Sequence, residues 1–192
     1  VQYTEGLFVT NDLAPLRRKG DHVMDIVHQW RDELYADVVV LITENQNSIP
    51  CGGAHQMRSP KHSFEAFAFA AIPRSCATGQ YNFAHELGHV MGADHDWAQS
   101  NSLFPFEYSH GLTMPHPNDP TVPPWRTIMA ENTACSGLPN GCVRVQYWSN
   151  PDSLWGDQQM GVNEGPRQAD NRKTLNNTAS IVANFRRSCS GQ

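Results

Sequence analysis

Residues 85–96 of the chain read HELGHVMGADHD, and this stretch decides how the rest of the sequence is interpreted. In a helix, residues i and i+4 project from the same face, so His85 and His89 can present two imidazole nitrogens to one metal ion. Glu86 lies one residue further round, beside that metal position and not on it. The pattern predicts a helix over residues 79–92 that carries two metal ligands and a neighbouring carboxylate.

A third metal ligand follows this helix. Gly92 can adopt a positive φ, which would end the helix in a sharp turn and bring His95 back towards the first two histidines. Three neutral imidazoles leave the fourth position of a zinc ion open to water, an arrangement typical of catalytic zinc and not of structural zinc. An ordinary helix with surface histidines is the alternative, but it does not account for the complete pattern HExxHxxGxxH. Glu86 is the predicted general base.

The pattern resembles that of the metzincin clan of zinc metallopeptidases, and Asp96, directly after the third histidine, makes it similar to the reprolysin-like branch. The resemblance implies a tight turn with a methionine under the metal, and residues 125–130 (WRTIMA) supply Met129 for it. It also implies that Asp96 helps to orient the histidines. A core methionine and a solvated aspartate are the alternatives. Some branches have a tyrosine two residues after that methionine; here Glu131 stands there, so no tyrosine is expected at the metal.

Four shorter segments look like those of bacterial peptidyl-Asp metallopeptidases. They are residues 51–54 (CGGA), 74–79 (RSCATG), 128–130 (IMA) and 147–151 (YWSNP). The resemblance implies a secreted zinc endopeptidase with one catalytic zinc ion. Zinc would activate a water molecule, from which Glu86 would take a proton that it later gives to the departing amine. A possible calcium site cannot be read from the sequence.

The same resemblance implies an α+β catalytic domain. Its twisted mixed sheet would have the active-site helix beneath it, and an irregular lower subdomain would end in a C-terminal helix. The 192 residues suit one domain, with an upper subdomain over about 1–92 and a lower one over about 93–192. Clan members usually place a strand and a long helix ahead of the first helix predicted here, so one interpretation is that the chain lacks that N-terminal portion.

Substrate recognition is also inferred from the resemblance. In metzincins the substrate lies extended along an edge strand, and Gly52, Gly53 and Ala54 match that strand; a bulge or a turn is the alternative. The loop over about 131–149 would form the wall of the pocket for the residue after the cut. If that residue is acidic, Arg144 or Arg126 would supply the cation.

The composition of the chain restricts the classes of partner that it is expected to bind. A formal net charge of -5 with scattered Lys and Arg leaves no positive field for phosphate backbones or anionic lipids. No apolar run reaches the roughly 20 residues that span a bilayer. We expect a protein or peptide substrate, no nucleic acid, no membrane and a monomer, with a pro-segment or an N-terminal fragment as a further candidate partner.

The five cysteines favour disulfides over a metal or redox motif, because no two of them lie three residues apart. Cys135 and Cys142 bracket a Gly/Pro-containing turn, and Cys51 and Cys76 flank a candidate pair of strands. These are the favoured pairings, with other connectivities left open. Cys189 is then left over, as a free thiol or as the partner of a cysteine outside the chain. Disulfides indicate an oxidising, extracellular location.

Hydrophobic periodicity predicts the remaining elements. Residues 21–35 form an amphipathic helix capped by Asp21. The unbroken apolar run at 38–42 predicts a central strand covered on both faces, and 51–55 and 64–72 predict two further strands. Residues 97–124 predict a long irregular segment.

Near the C terminus, a last helix is predicted with Asp170 or Asn171 at its start. Its apolar face is formed by Leu175, Ala179, Val182 and Phe185.

Two functions from other classes compete with the enzyme. A protease-like toxin or binding module would keep the zinc without turnover, but such relatives typically lose the carboxylate that Glu86 retains. A purely structural zinc site is disfavoured by the open fourth position. The other six histidines are expected to be surface or core residues: His22, His28, His55, His62, His110 and His116.

Overall fold

The computed structural model describes residues 3–44 and 49–186. The chain divides into two compact units, one formed by residues 1–90 and 178–192 and the other by residues 91–177. Helices and mixed sheets occur together, which confirms the predicted α+β class.

The first unit is built on a three-stranded mixed sheet. Its strands are β1 (Val39–Thr43), β2 (Gly53–Ala54) and β3 (Phe69–Pro73), in the order β1-β3-β2. β1 runs parallel to β3 and β2 antiparallel to it. The prediction that residues 38–42 form the central strand is wrong. β3 is central and all five of its residues are buried, whereas β1 lies at an edge and leaves Ile42 43% exposed.

Two helices precede this sheet in sequence, α1 (Val9–Arg17) and α2 (Ile26–Glu33). The sequence did not predict α1, because Pro15 interrupts its helical pattern. Leu13 and Leu16 of α1 pack in one cluster with Phe69 of β3.

α2 is shorter than the predicted helix over 21–35. His22 and Met24 have positive φ values of 64° and 57°, which a helix cannot contain. Asp21 is therefore not the cap. Asp25 directly precedes α2, and its carboxylate accepts hydrogen bonds from the N–H groups of Gly20 and His22.

The buried face of α2 also differs from its apolar stripe. His28 and Arg31 are buried, while Trp30 is 45% exposed. Burial of Arg31 is compensated because its guanidinium donates to three backbone carbonyl oxygens, those of Ala36, Asp37 and Glu65.

Two helices follow β3 in the first unit, α3 (Arg74–Ala77) and α4 (Asn82–Val90). α4 lies within the helix predicted over 79–92 and packs against β3 and β2, as the predicted active-site helix should. The predicted strand over 64–72 is wrong in its first half. A 3-10 helix (His62–Phe67) comes first, and the strand begins at Phe69.

The second unit contains short strands that the sequence did not predict. β4 (Thr113–Met114), β5 (Trp125–Arg126) and β6 (Val143–Arg144) form one sheet, and β7 (Asn150–Trp155) and β8 (Gln158–Met160) form a hairpin. Trp125, Val145 and Met160 form their buried core. Residues 97–124 are irregular as predicted, apart from β4.

The predicted C-terminal helix is α5 (Asn171–Val182), and the Oδ1 atom of Asp170 caps it by accepting the N–H of Lys173 at 2.9 Å. Its predicted apolar face is wrong in part, because Ala179 is exposed while Thr174 is fully buried. The Thr174 hydroxyl bonds to that of Ser109 at 2.9 Å. The polar side of this helix can therefore be buried, because its hydroxyl group forms a hydrogen bond with another buried hydroxyl group.

Both predicted disulfides are confirmed. Cys51 is bonded to Cys76 and Cys135 to Cys142. Cys189 lies outside the described residues. Among the described residues no helix has the length and apolar character needed to cross a membrane.

Candidate active site

α4 presents the first two predicted ligands. His85 and His89 are 4% and 9% exposed, and their rings lie edge to face with centroids 4.8 Å apart. The helix is fixed at both ends. The Asn82 amide donates to the carbonyl oxygen of Cys51 at 3.0 Å, and the carbonyl oxygen of His89 accepts the N–H of Met57 at 2.9 Å. These bonds limit how far the two imidazoles can move.

The helix ends two residues before its predicted bound at residue 92. α4 stops at Val90, and Gly92 has a φ of 93°, in the left-handed region that favours glycine. The potential ligand atoms of His85, His89 and His95 lie within 4.8 Å of one another. A catalytic zinc ion takes three protein ligands and a water molecule, and three imidazoles this close together match that number. This donor set fits zinc, which favours imidazole.

Glu86 fits closely against the backbone of Gly52. Glu86 is 5% exposed, and a Cβ atom added at Gly52 would lie 2.8 Å from its Cδ atom. Carbon atoms normally approach no closer than about 3.5 Å. The absence of a side chain at Gly52 therefore leaves the space that the carboxylate fills.

Of the predicted substrate-binding residues, Gly52 lies against this carboxylate. Gly52 is followed at once by Gly53 and Ala54, which form β2 at the edge of the first unit's sheet. An edge strand offers main-chain N–H and C=O groups on its open side, and an extended peptide can pair with them.

The chain turns at Met129, and that its side chain lies under the metal stays a prediction. Met129 is fully buried, and the turn is closed by the N–H of Ala130, which donates to the carbonyl oxygen of Thr127 at 3.1 Å. The absence of a side chain at Gly111 lets its backbone lie close to this turn, since a Cβ atom there would be 2.7 Å from the nitrogen of Ala130.

Asp96 supports the chain that follows this turn. Its carboxylate accepts the N–H of Glu131 at 2.9 Å and that of Ala98 at 3.3 Å, and the residue is 3% exposed. It therefore joins the segment after His95 to the segment after Met129. That Asp96 orients a histidine stays a prediction.

Two arginines converge on the residues after Met129. Arg126 and Arg144 each donate to the carbonyl oxygen of Ala130, at 2.5 and 3.3 Å, and Arg144 also pairs with the Glu131 carboxylate at 3.3 Å. Burial and the neighbouring Arg144 lower the pKa of Arg126 to about 10, and the carboxylates of Glu131 and Asp96 partly oppose this shift. Two cations therefore lie near two carboxylates, those of Glu131 and Asp96.

Sequence reasoning gave no role to His110, which is completely buried. Its Nδ1 and Nε2 atoms lie 2.7 and 2.8 Å from the carbonyl oxygens of His95 and Ser102, and its ring stacks on that of Trp97 at 3.9 Å. His110 thus holds the backbone of His95. No local pattern marks it, because it follows His95 by fifteen residues of irregular chain.

The chain matches a reprolysin model of metallo-peptidase family M12 over residues 8–148. It is similar to the peptidyl-Asp metalloendopeptidases of Stenotrophomonas maltophilia (strain R551-3) and Xanthomonas campestris pv. campestris. Each is 40% identical to it over 184 residues, which are 96% of this chain and 40% and 39% of those proteins. The chain therefore spans about two fifths of the length of these curated relatives.

Similarity to one experimentally solved structure supports the fold of this chain and nothing about its function. In the structure of a chaperone–substrate complex, one chain superposes with a TM-score of 0.63 at 18% sequence identity, covering 95% of this chain and 28% of that one.

Proposed function

Because the chain belongs to metallo-peptidase family M12, we propose that it is the catalytic part of a zinc-dependent endopeptidase. His85, His89 and His95 would hold the zinc ion, and Glu86 would be the general base. The observation that carries the proposal is the convergence of three imidazoles next to a carboxylate, which is seated in a space that Gly52 leaves open.

A bound zinc ion would supply the Lewis acidity that acidifies water and polarises the scissile carbonyl. Glu86 accepts the proton of the attacking water molecule and then donates it to the departing amine, so it acts first as base and then as acid. Its seat against Gly52 restricts the directions that the carboxylate can take. His110 holds the carbonyl of His95, and Asp96 holds the chain after Met129, so both act by positioning and not in the reaction.

The substrate is a peptide in extended conformation. It pairs with the open edge of β2, so its main chain is held beside Glu86 by hydrogen bonds that do not depend on its sequence. Glycine at positions 52 and 53 lets another backbone come close.

An acidic residue after the cut is the proposed preference. The relatives named above are peptidyl-Asp metalloendopeptidases, and Arg126 and Arg144 supply two cations beside the turn that follows the metal motif. A carboxylate bound by guanidinium gains charge-assisted hydrogen bonds, which are about twice as strong as neutral ones. Arg144→Ala should therefore lower kcat/KM for Asp-containing peptides by roughly 10- to 100-fold relative to matched Asn peptides. An unchanged ratio would remove Arg144 from the specificity site.

The two disulfides are typical of proteins from oxidising compartments, and we propose a secreted, monomeric enzyme. A protease-like toxin or binding module remains the competing proposal. The retention of Glu86 in its fitted seat favours turnover, because a module that binds without cutting gains nothing from a general base.

The decisive test is a fluorogenic peptide library, applied to the protein with and without a zinc chelator and to Glu86→Gln. Cleavage should be lost in both cases, while the variant still binds one zinc ion per chain. Absence of cleavage by the zinc-loaded wild-type protein would support the binding module instead.

A further inference from the structure

A pocket of roughly 420 Å³ lies in the first unit, just beyond the end of β2. Its walls come from residues 55–67, the segment that connects the edge strand to β3. None of the functions assigned above uses it.

The floor of this pocket is aromatic. The rings of Phe64 and Phe67 stack with centroids 6.0 Å apart, and His55 meets Phe67 edge to face at 5.3 Å. Phe67 remains 39% exposed. Burial and the charge of Arg17 lower the pKa of His55, so the imidazole is a neutral aromatic wall at physiological pH.

The rim of the pocket is cationic. Arg58 and Lys61 are exposed and line it, and the guanidinium of Arg17 lies 4.8 Å from the ring centroid of Phe67. No aspartate or glutamate of the described residues lines the pocket. Because the whole chain carries a net charge of -5, this local excess of positive charge is a feature of the pocket and not of the surface in general.

The pocket continues the proposed path of the substrate. Gly52 touches the seat of Glu86, Gly53 and Ala54 form the edge strand, and His55 in the pocket wall is the next residue. Three residues of extended chain cover about 10 Å. A peptide paired with β2 and cut beside Glu86 therefore reaches the pocket about three residues from the cleaved bond.

We propose that this pocket is an additional specificity site for the peptide substrate, and that it takes an aromatic side chain with an acidic residue two positions along the peptide, since side chains i and i+2 of an extended chain project to the same side. The aromatic ring packs on Phe64 and Phe67, and the carboxylate two positions away faces Arg58 and Lys61. The inference rests on the proposed peptidase function and adds a preference remote from the cut.

The test uses three peptides that share one cleavable sequence and differ about three residues from the cut. One has Phe and Glu there, two positions apart with Ala between them (called Phe-Glu), one has Phe and Lys in the same places (Phe-Lys) and one has Gly in both (Gly-Gly). Each is made in two series, before and after the cut. In one of the two series we expect kcat/KM to be about tenfold higher for Phe-Glu than for Phe-Lys, and higher for Phe-Glu than for Gly-Gly.

Charge-reversal variants of Arg58 and Lys61 test whether the rim of the pocket causes this difference in kcat/KM. In Arg58→Glu/Lys61→Glu the Phe-Glu advantage should disappear, while cleavage of the Gly-Gly peptide stays at the wild-type rate. Arg167→Glu is the control, because it reverses an exposed arginine outside the pocket; it should leave all three rates unchanged.

Equal cleavage of the three peptides in both series would overturn this inference and leave the peptidase proposal intact. Failure to cleave even the Gly-Gly peptide would overturn the peptidase proposal, and the inference with it.

Discussion

Gly52→Ala tests whether the position of the Glu86 carboxylate controls the rate. The added Cβ would lie 2.8 Å from Cδ of Glu86 and 2.9 Å from its Cγ, against an ordinary carbon–carbon contact of about 3.5 Å. The Oε1 atom of Glu86 would be closer still, at 2.3 Å, so the carboxylate must move by about 1 Å. Because Glu86 is buried, it cannot simply swing into solvent.

The expected result is a fall in kcat of about 100-fold, since a displacement near 1 Å of a catalytic group costs about that factor. The free energy of unfolding should fall by no more than about 1–3 kcal/mol, the range for one extra methyl group in a packed site. Zinc content should stay at one ion per chain, because Gly52 is not among the metal ligands.

The assay measures kcat and KM on a fluorogenic peptide, together with zinc content and urea unfolding. Gly53→Ala is the matched control on the next residue, because its Cβ would meet the Thr10 methyl group at 3.3 Å and the Leu13 Cδ2 atom at 4.0 Å, and not Glu86. It should change kcat less than threefold. Wild-type kcat in a folded, zinc-loaded Gly52→Ala would refute the argument that this glycine seats the general base.

Three further predictions concern the supports of the site. His110→Ala removes the ring that holds the carbonyl of His95, so zinc affinity should fall about 10- to 100-fold in competition with a chelator; unchanged affinity would exclude a positioning role. Asp96→Ala leaves the N–H of Glu131 without its acceptor and should lower the free energy of unfolding by about 1–3 kcal/mol in urea titrations, and a loss below about 0.5 kcal/mol would contradict this. Removing the disulfide with a sequence separation of 25 should cost about 1 kcal/mol more than removing the one with a separation of 7, from loop-closure entropy. Equal losses in calorimetry would show that loop length does not decide the difference.

The metal motif could be read from the sequence because its geometry is local. His85, His89 and Gly92 are fixed by the helical repeat and by the positive φ that glycine accepts, and His95 follows within one turn of chain. The same applies to the Cys135–Cys142 pair, which closes a short turn.

The order of the strands in the first unit could not be predicted from local sequence patterns. The apolar run at 38–42 looks like a central strand, yet β3 takes that place because α1 and α4 both pack against it. Which strand lies in the middle depends on partners far away in sequence, and no window of residues contains that information.

The sequence by itself determined the ligands, the neighbouring carboxylate and the glycine that turns the chain, because each follows from spacing along one short segment. Only the tertiary structure decided that Gly52 seats Glu86, that His110 holds His95, and that Arg126 and Arg144 meet at Ala130. His95 and His110 are 15 positions apart, and Gly52 and Glu86 are 34 positions apart. The two arginines lie on different strands, β5 and β6. The distances in these contacts are set by packing and by the need of buried polar groups for partners, not by the repeat of a helix or a strand.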